Sequence, residues 1–259
     1  MASTVMTARS SFGYMTATAQ RKPRTPYGLA PDDCATCPTR TETSFCQLSP
    51  RAAHSLGEIR RTSSYPAGAI LFMEGEQARG VYIVCQGRVK LLTTNSDGKT
   101  LIFKIAKPGE ILGLNAALSG TPHEITAETL QPAQLAYVSR EDFLKFIKEN
   151  GDACLQVAQH LGRDCHSAYE VIRSIGLSNS VEEKLARFLL DWSTGGQATN
   201  LGVKVKLALT HEEIAQLIGC SRESVSRSFS EFKRRHLVEV NGATLVVQDK
   251  EALETLAAM

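Results

Sequence analysis

Two groups of side chains in this sequence have types and spacings that could do chemistry. The first is Arg222, Glu223, Ser226 and Arg227, within the run GCSRESVSR from Gly219 to Arg227. Arginine can grip guanine O6 and N7 with two hydrogen bonds, glutamate can accept from cytosine N4, and serine can bond several base edges. The second is Cys34-Ala-Thr-Cys37, with Cys46 beyond it. Thiolates are soft ligands suited to an iron–sulfur cluster or to zinc, and they are also the side chains that oxidise reversibly. The bland counterparts are a solvated surface helix for the first group and metal-free cysteines for the second.

Elements must hold these groups in place. Thr210 precedes apolar Ile214, Leu217 and Ile218, and Glu213 falls three residues after it. This is a capping box, in which the Thr hydroxyl and the Glu carboxylate satisfy free backbone donors at a helix start. Gly219 supplies the turn that ends this helix. Ser221 can cap a second helix running to about Arg235, with Val225, Phe229 and Phe232 as its buried stripe. Arg222, Glu223, Ser226 and Arg227 avoid that stripe. Two short helices joined by a tight glycine-containing turn form a helix-turn-helix, whose second helix can enter the DNA major groove. Thr210 and Ser221 complete the candidate DNA-binding set, and Lys233, Arg234 and Arg235 are candidate phosphate partners. The run HLVEVNGATLVV then alternates around Asn241-Gly242, a tight hairpin signal that predicts a wing beside the helices.

Composition narrows the class. At 259 residues, 42% hydrophobic and 22% charged, the chain reads as soluble and globular, with room for two domains and a tail. No apolar run approaches the ~20 residues of a membrane span, so no membrane partner is expected. The formal charge is only +2, and from Val181 onward ten Lys and Arg face eleven Asp and Glu. DNA affinity must therefore rest on where the charges sit. Seven cysteines, an odd number without a secretory signal, argue for a reducing cytoplasm and against a disulfide framework.

Residues 1–48 are expected to form a disordered tail carrying the cysteine segment. Ser49–Arg61 predicts a short helix, with Ser49 as cap and Pro50 at its first position. From Thr62 to Val138 short alternating segments are broken by glycine. They predict strands at Ala69–Met73, Gly80–Cys85, Arg88–Thr93, Leu101–Ile105, Ile111–Leu114, Glu124–Ala127 and Ala133–Val138, and together a small jelly roll. Ser139 caps a helix that Gly151 stops, and a long helix follows from about Asp152 to Ile175. Its Leu161, Ala168 and Ile175, with Val157, Cys165 and Ile172, form a seam that is either intramolecular core or a dimer contact, the second favoured because the helix lies between two otherwise complete domains. Cys154 and Cys165 read as packing residues. Val181–Ser193 predicts a helix and Val203–Leu209 a strand leading to Thr210. The expected fold is α+β, with a β-roll at 49–150, a dimerisation helix at 151–178 and a winged helix-turn-helix at 179–259.

That order of parts, together with GCSRESVSR at Gly219–Arg227, resembles the CRP/FNR family of bacterial transcription regulators over roughly Ser49–Asp249. Glu223-x-x-Ser226-Arg227 is similar to the recognition pattern of the FNR-like branch, and Arg222-Glu223 with Arg227 also fits the CRP-type pattern. The resemblance implies a homodimer on a palindromic operator, RNA polymerase as a partner, a cyclic-nucleotide-binding-like roll that senses a signal, and a long helix that transmits it. Members that bind a cyclic nucleotide carry a Gly-Glu pair and, further on, an Arg followed by Ser or Thr. Here Gly113-Leu114 and Glu124-Ile125 stand at those places, while Gly109-Glu110 reads as a turn. A carboxylate repels a phosphate and a leucine cannot bond a ribose hydroxyl. No cyclic-nucleotide-binding residue is assigned, and cyclic AMP is not the expected effector.

FNR-like oxygen sensors hold three of four cluster ligands just ahead of the roll, where Cys34, Cys37 and Cys46 lie. The resemblance thus implies an oxygen- or redox-responsive site with an iron–sulfur cluster as candidate cofactor; zinc, a thiol switch or no metal are the alternatives. The fourth ligand is expected around Gln131–Leu135, where Ala133 stands, which leaves Cys85 as substitute or as a small core residue. Cys220 reads as structural.

Enzyme classes find no support. His211-Glu212 begins like HExxH, but Ala215 occupies the place of the second histidine, and no βαβ unit surrounds Cys34-x-x-Cys37. The alternatives are a regulator of the same fold that responds to a cyclic nucleotide or another small molecule, and a regulatory subunit acting on another protein, which the intact face from Arg222 to Arg227 opposes.

Overall fold

The computed structural model describes residue 37 and residues 44–177 and 180–258. The chain opens on a packed segment. Phe45 is fully buried, its ring 6.3 Å from that of Phe143, and its backbone N–H donates to the Gly109 carbonyl at 2.8 Å. Residues 44–48 thus belong to the roll, and the expected boundary at Ser49 falls too late. Helix α1 (Pro50–Ile59) follows, with the Ser49 hydroxyl accepting from the Ala52 N–H, as expected.

The roll consists of β1 (Arg61–Tyr65), β2 (Ile70–Phe72), β3 (Gly80–Gln86), β4 (Val89–Thr94), β5 (Thr100–Ala106), β6 (Ile111–Leu112), helix α2 (Leu114–Ser119), β7 (Thr126–Thr129) and β8 (Ala133–Ser139). The strands form two four-stranded sheets, ordered β1-β8-β3-β6 and β2-β7-β4-β5. Strand side chains alternate faces, so Val81, Ile83 and Cys85 of β3 pack toward the helices while Tyr82 and Val84 face the other sheet. Three expectations change here. β1 is a strand the pattern did not announce. The Ile111–Leu114 strand ends at Leu112, where Gly113 turns the chain at φ 73° into α2. β7 lies two residues beyond its expected start.

Helix α3 (Arg140–Glu149) begins at the Ser139 cap, but Gly151 does not stop it. Asn150 alone separates α3 from α4 (Gly151–Leu177), which Gly151 opens. Val157 and Leu161 pack into the roll core, so that part of the expected seam is intramolecular. The exposed apolar stripe of α4 is Leu155, Ala158, Gly162, Cys165, Tyr169 and Ile172, at alternating spacings of three and four. Cys154 and Cys165 are exposed in the single chain and are not packing residues there. The side chain of Ile175 lies outside the described residues. An ionic cluster registers α4 on the roll: Lys104 of β5 lies 2.9 Å from Glu110 and 2.8 Å from Asp164. His160, 2% exposed, places Nε2 3.0 Å from the Ile111 carbonyl and 3.4 Å from Asp164.

The C-terminal part contains α5 (Val181–Ser193), β9 (Gln197–Thr199), β10 (Gly202–Lys206), α6 (His211–Ile218), α7 (Arg222–Arg234), β11 (Val238–Asn241), β12 (Thr244–Val247) and α8 (Lys250–Ala257). Its sheet runs β11-β12-β10-β9, so the wing is wider than a hairpin. The expected strand stops at Lys206, short of Leu209. Leu185, Leu189, Ile214, Phe232, Leu245 and Leu253 form its fully buried core. The roll touches this part directly. Lys90 of β4 lies 2.9 Å from Glu128 and 3.7 Å from Glu213, and the Arg88 guanidinium sits 4.6 Å over the Trp192 ring. No helix among the described residues is long and apolar enough to cross a membrane.

Candidate functional site

The helix-turn-helix is built from its caps. Glu213 N–H donates to the Thr210 hydroxyl at 3.2 Å and Thr210 N–H donates to the Glu213 carboxylate at 2.9 Å, closing the capping box. Gly219 adopts φ 67°, a left-handed conformation that costs an L side chain energy, and ends α6. The Ser221 hydroxyl accepts from Ser224 N–H at 3.2 Å and starts α7. Val225, Phe229 and Phe232 are all buried, as their spacing required. Burying that stripe fixes the roll angle of α7 and leaves Arg222, Glu223 and Arg227 exposed together.

Ser226 differs from this expectation. It is half-buried, and its hydroxyl lies 2.9 Å from Nδ1 of His211. His211 in turn stacks on Phe229, centroids 4.9 Å apart and planes within 3°. Burial, and then the Lys233 and Arg222 charges, lower the imidazole pKa and keep the ring neutral at neutral pH. His211 therefore positions Ser226, a role the sequence reading overlooked. Its one signal was a place immediately after the Thr210 cap. Arg227 is pre-oriented as well, donating to the Ser224 hydroxyl at 3.1 Å. Thr210 and Ser221 spend their hydroxyls on caps. Of the basic trio, Arg234 grips Glu231 through two bonds of 2.9 and 2.7 Å, while Lys233 and Arg235 stay exposed.

The cysteines come from separate segments. Cys37, Cys46 and Cys85 line one small cavity of about 20 Å³, walled by Leu48, Leu56 and Ala136 with Arg60 at its edge. Cys34 lies outside the described residues. Ala133 is fully buried between the two sheets, whereas Cys85 sits on the helix side of the roll. The donors suit an iron–sulfur cluster in chemical type, but a cavity of about 20 Å³ has room for little more than one water, so the thiols would have to move apart to admit a cluster. Among the described residues, no three of His, Cys, Asp and Glu are already gathered as a metal site.

The place where a nucleotide would be clasped looks different. Leu114 is 3% exposed and packs into the roll core. Glu124 is exposed and accepts a hydrogen bond from the Asn115 amide. Glu110 accepts from Lys107 N–H at 2.8 Å and pairs with Lys104, as a turn residue would.

The cyclic nucleotide-binding domain family matches residues 62–150, and the Crp-like helix-turn-helix domain family matches residues 183–256. The cAMP-activated global transcriptional regulator CRP of Pasteurella multocida is 27% identical over 71% of this chain and 88% of its own. The nitrogen fixation regulation protein FixK of Bradyrhizobium diazoefficiens is 26% identical over 87% of this chain and 94% of its own. The solved structure of FixK2 from Bradyrhizobium japonicum superposes with a TM-score of 0.70 at 23% identity, covering 78% of this chain and 98% of that one, a likeness of fold. With a β-roll, a long helix and a Crp-like helix-turn-helix in one chain, this protein belongs to the CRP/FNR family of DNA-binding transcription regulators and is not an enzyme.

Proposed function

We propose that the protein is a homodimeric regulator of the FNR-like branch that reads a two-fold symmetric operator and acts with RNA polymerase. Arg222, Glu223 and Arg227 touch base edges, Ser226 joins them from its His211 partner, and Lys233 and Arg235 hold phosphates. Thr210 and Ser221 position the two helices. The stripe from Leu155 to Ile172 on α4 supports pairing, because its three-and-four spacing is that of a coiled-coil seam. Half-sites then fall about one helical turn apart.

The signal is oxygen or redox state, sensed by Cys34, Cys37 and Cys46 with Cys85 as the fourth thiol. The observation that carries this reading is the convergence of Cys37, Cys46 and Cys85 on one cavity from three segments. An iron–sulfur cluster held there would supply one-electron and oxygen chemistry. Cys37 and Cys46 meet Cys85 of β3 at this cavity, next to α1, so a change in their bonding reaches the core on which α4 rests. Cyclic AMP is not the effector, because Leu114 is committed to the core and Glu124 carries a negative charge where a phosphate would lie. A cytoplasmic location follows from the thiol chemistry.

The test is anaerobic purification followed by spectroscopy, iron analysis and gel shift on one sample. A visible chromophore that air bleaches, with loss of operator binding, is the expected result, and Cys37→Ser and Cys85→Ser each abolish it. Iron-free, colourless protein whose DNA binding still responds to thiol oxidants replaces the cluster with a thiol switch. A gain in operator affinity with cyclic AMP overturns the reading of the signal.

A further inference from the structure

A wide cleft in the roll lies away from the nucleotide position. It measures about 720 Å³ and opens between the two sheets, where β1, β3 and β8 face β2 and the turn after it. Neither Gly113, Leu114, Glu124 nor Ile125 lines it. Its volume lies in the range of small-molecule sites, roughly 300–1,000 Å³.

Aromatic rings make its walls. Tyr82 and Tyr137 lie 5.1 Å apart at their centroids, and Tyr65 stands beside them. Phe72 and His123 stack at 3.9 Å, planes within 14°, and form another wall. Such surfaces favour a flat ring that can pack face-on or edge-on.

The polar atoms are equally selective. His123 is only 5% exposed, yet neither ring nitrogen makes a hydrogen bond among the described residues. The ring nitrogens are not among the buried atoms left without a partner, so they open to the water of the cleft, and an incoming ligand can take that water's place. The ring lies so close to Gly113 that a Cβ there would stand 2.9 Å from its Cε1, so the glycine leaves room for the Phe72–His123 stack. Tyr82 and Tyr137 donate their hydroxyl hydrogens to the carbonyls of Leu71 and Arg79, at 3.3 and 2.9 Å, so both oxygens keep acceptor capacity. Burial, followed by the neighbouring Tyr65 and Tyr137, pushes the Tyr82 pKa up to about 12, which keeps that hydroxyl protonated.

Charge sets the ligand's sign. Arg61 and Arg79 stand at the rim, and neither forms an ion pair among the described residues. The one carboxylate there, Glu76, accepts from Met73 N–H at 3.0 Å and caps its own turn. Two arginines against one engaged glutamate leave the mouth attractive to an anion, and guanidinium groups match a carboxylate well.

We infer that this cleft is an effector site for an aromatic carboxylate of one or two rings, its ring held between the tyrosines and the Phe72–His123 stack and its carboxylate held by Arg61 and Arg79. The site is separate from the thiols and stands or falls without them.

Calorimetry on the full-length protein tests this, with benzoate, 4-hydroxybenzoate and indole-3-acetate as probes. Benzyl alcohol serves as the neutral analogue and acetate as the anion without a ring. At least one aromatic acid should bind at micromolar to low-millimolar concentration, with benzyl alcohol tenfold or more weaker and acetate silent. Arg61→Gln combined with Arg79→Gln, both at the rim and away from the core, should weaken binding tenfold or more. Any of three results overturns the inference: no binding by any aromatic acid, acetate binding as well as benzoate, or aromatic binding indifferent to the arginine substitutions. Circular dichroism and the thermal midpoint of the double variant separate loss of binding from loss of fold.

Discussion

The helix-turn-helix and the thiol cavity are both small sites on one chain, yet they are assembled in opposite ways. In the first, cap, turn glycine, buried stripe and exposed face succeed one another from Thr210 to Phe232, and each acts on its near neighbours. In the second, Cys46 arrives ahead of α1 and Cys85 from near the end of β3, and only the tertiary fold brings them to one wall. A site of the first kind keeps its local geometry whenever its helices fold. One of the second kind depends on the packing of everything between its members.

The strongest way to break this contrast is to remove one buried ring from each region. Phe45 and Phe232 are both fully buried, so Phe→Ala at either should cost about 3–5 kcal/mol. Phe45→Ala should abolish the response of DNA binding to oxidants while leaving the circular dichroism of the winged domain intact. Phe232→Ala should abolish operator binding while the thiols react as before, as thiol titration would report. Equal damage to both functions by both variants would mean that the two regions fold as one unit.

Arg227→Ala sharpens the comparison next. A two-bond contact to guanine contributes about 1–3 kcal/mol of discrimination, so specific operator affinity should fall roughly ten- to a hundredfold. Competition gel shifts should show random DNA bound nearly as before. Equal losses on both would place Arg227 against phosphate.

A pH effect of intermediate size belongs to the roll. Burial lowers the His160 pKa, opposed in part by Asp164 and Glu110 and aided by Lys104 and Arg163. The unfolded chain takes up a proton near the ordinary value of 6.5, and the folded chain does so only at lower pH. Stability should therefore be lost as pH falls below that value, by at most about 1.4 kcal/mol per pH unit. Urea titrations at pH 7.5 and 5.5 should show a smaller difference for His160→Gln than for the native protein.

Smallest of all is Thr210→Ala, which removes the cap of α6. It should cost about 1 kcal/mol and leave the roll untouched. Hydrogen exchange should reveal it as faster opening of α6 alone.

The same contrast explains what could be read in advance. Both helices of the reading unit, their caps and their buried stripe were legible because every signal lies within a few turns. β1 was hidden because Arg-Thr-Ser-Ser-Tyr has no apolar alternation and is held by its pairing with β8. α2 was hidden because Ile111-Leu-Gly-Leu114 is one apolar run, and only the left-handed Gly113 divides strand from helix. α8 escaped because its sequence is short and mixed, although Leu253 is fully buried. The seam read on α4 divides between two faces, Val157 and Leu161 in the roll core and Cys165 and Ile172 exposed, since sequence period cannot say which of two apolar stripes the roll claims. Cys85 was proposed only by elimination. Its cavity appears once β3 is registered against β8.

The contact of Arg88 with Trp192 has a spectroscopic consequence. Trp192 is the chain's single tryptophan, half-exposed on α5, with its indole N–H donating to the Lys206 carbonyl at 3.0 Å and a roll arginine over its face. Emission excited selectively at the indole therefore comes from one spot, the seam between the roll and the winged domain. Any signal that shifts the winged domain against the roll uncovers that ring, and the unlabelled protein reports it as a change in emission wavelength and quencher access.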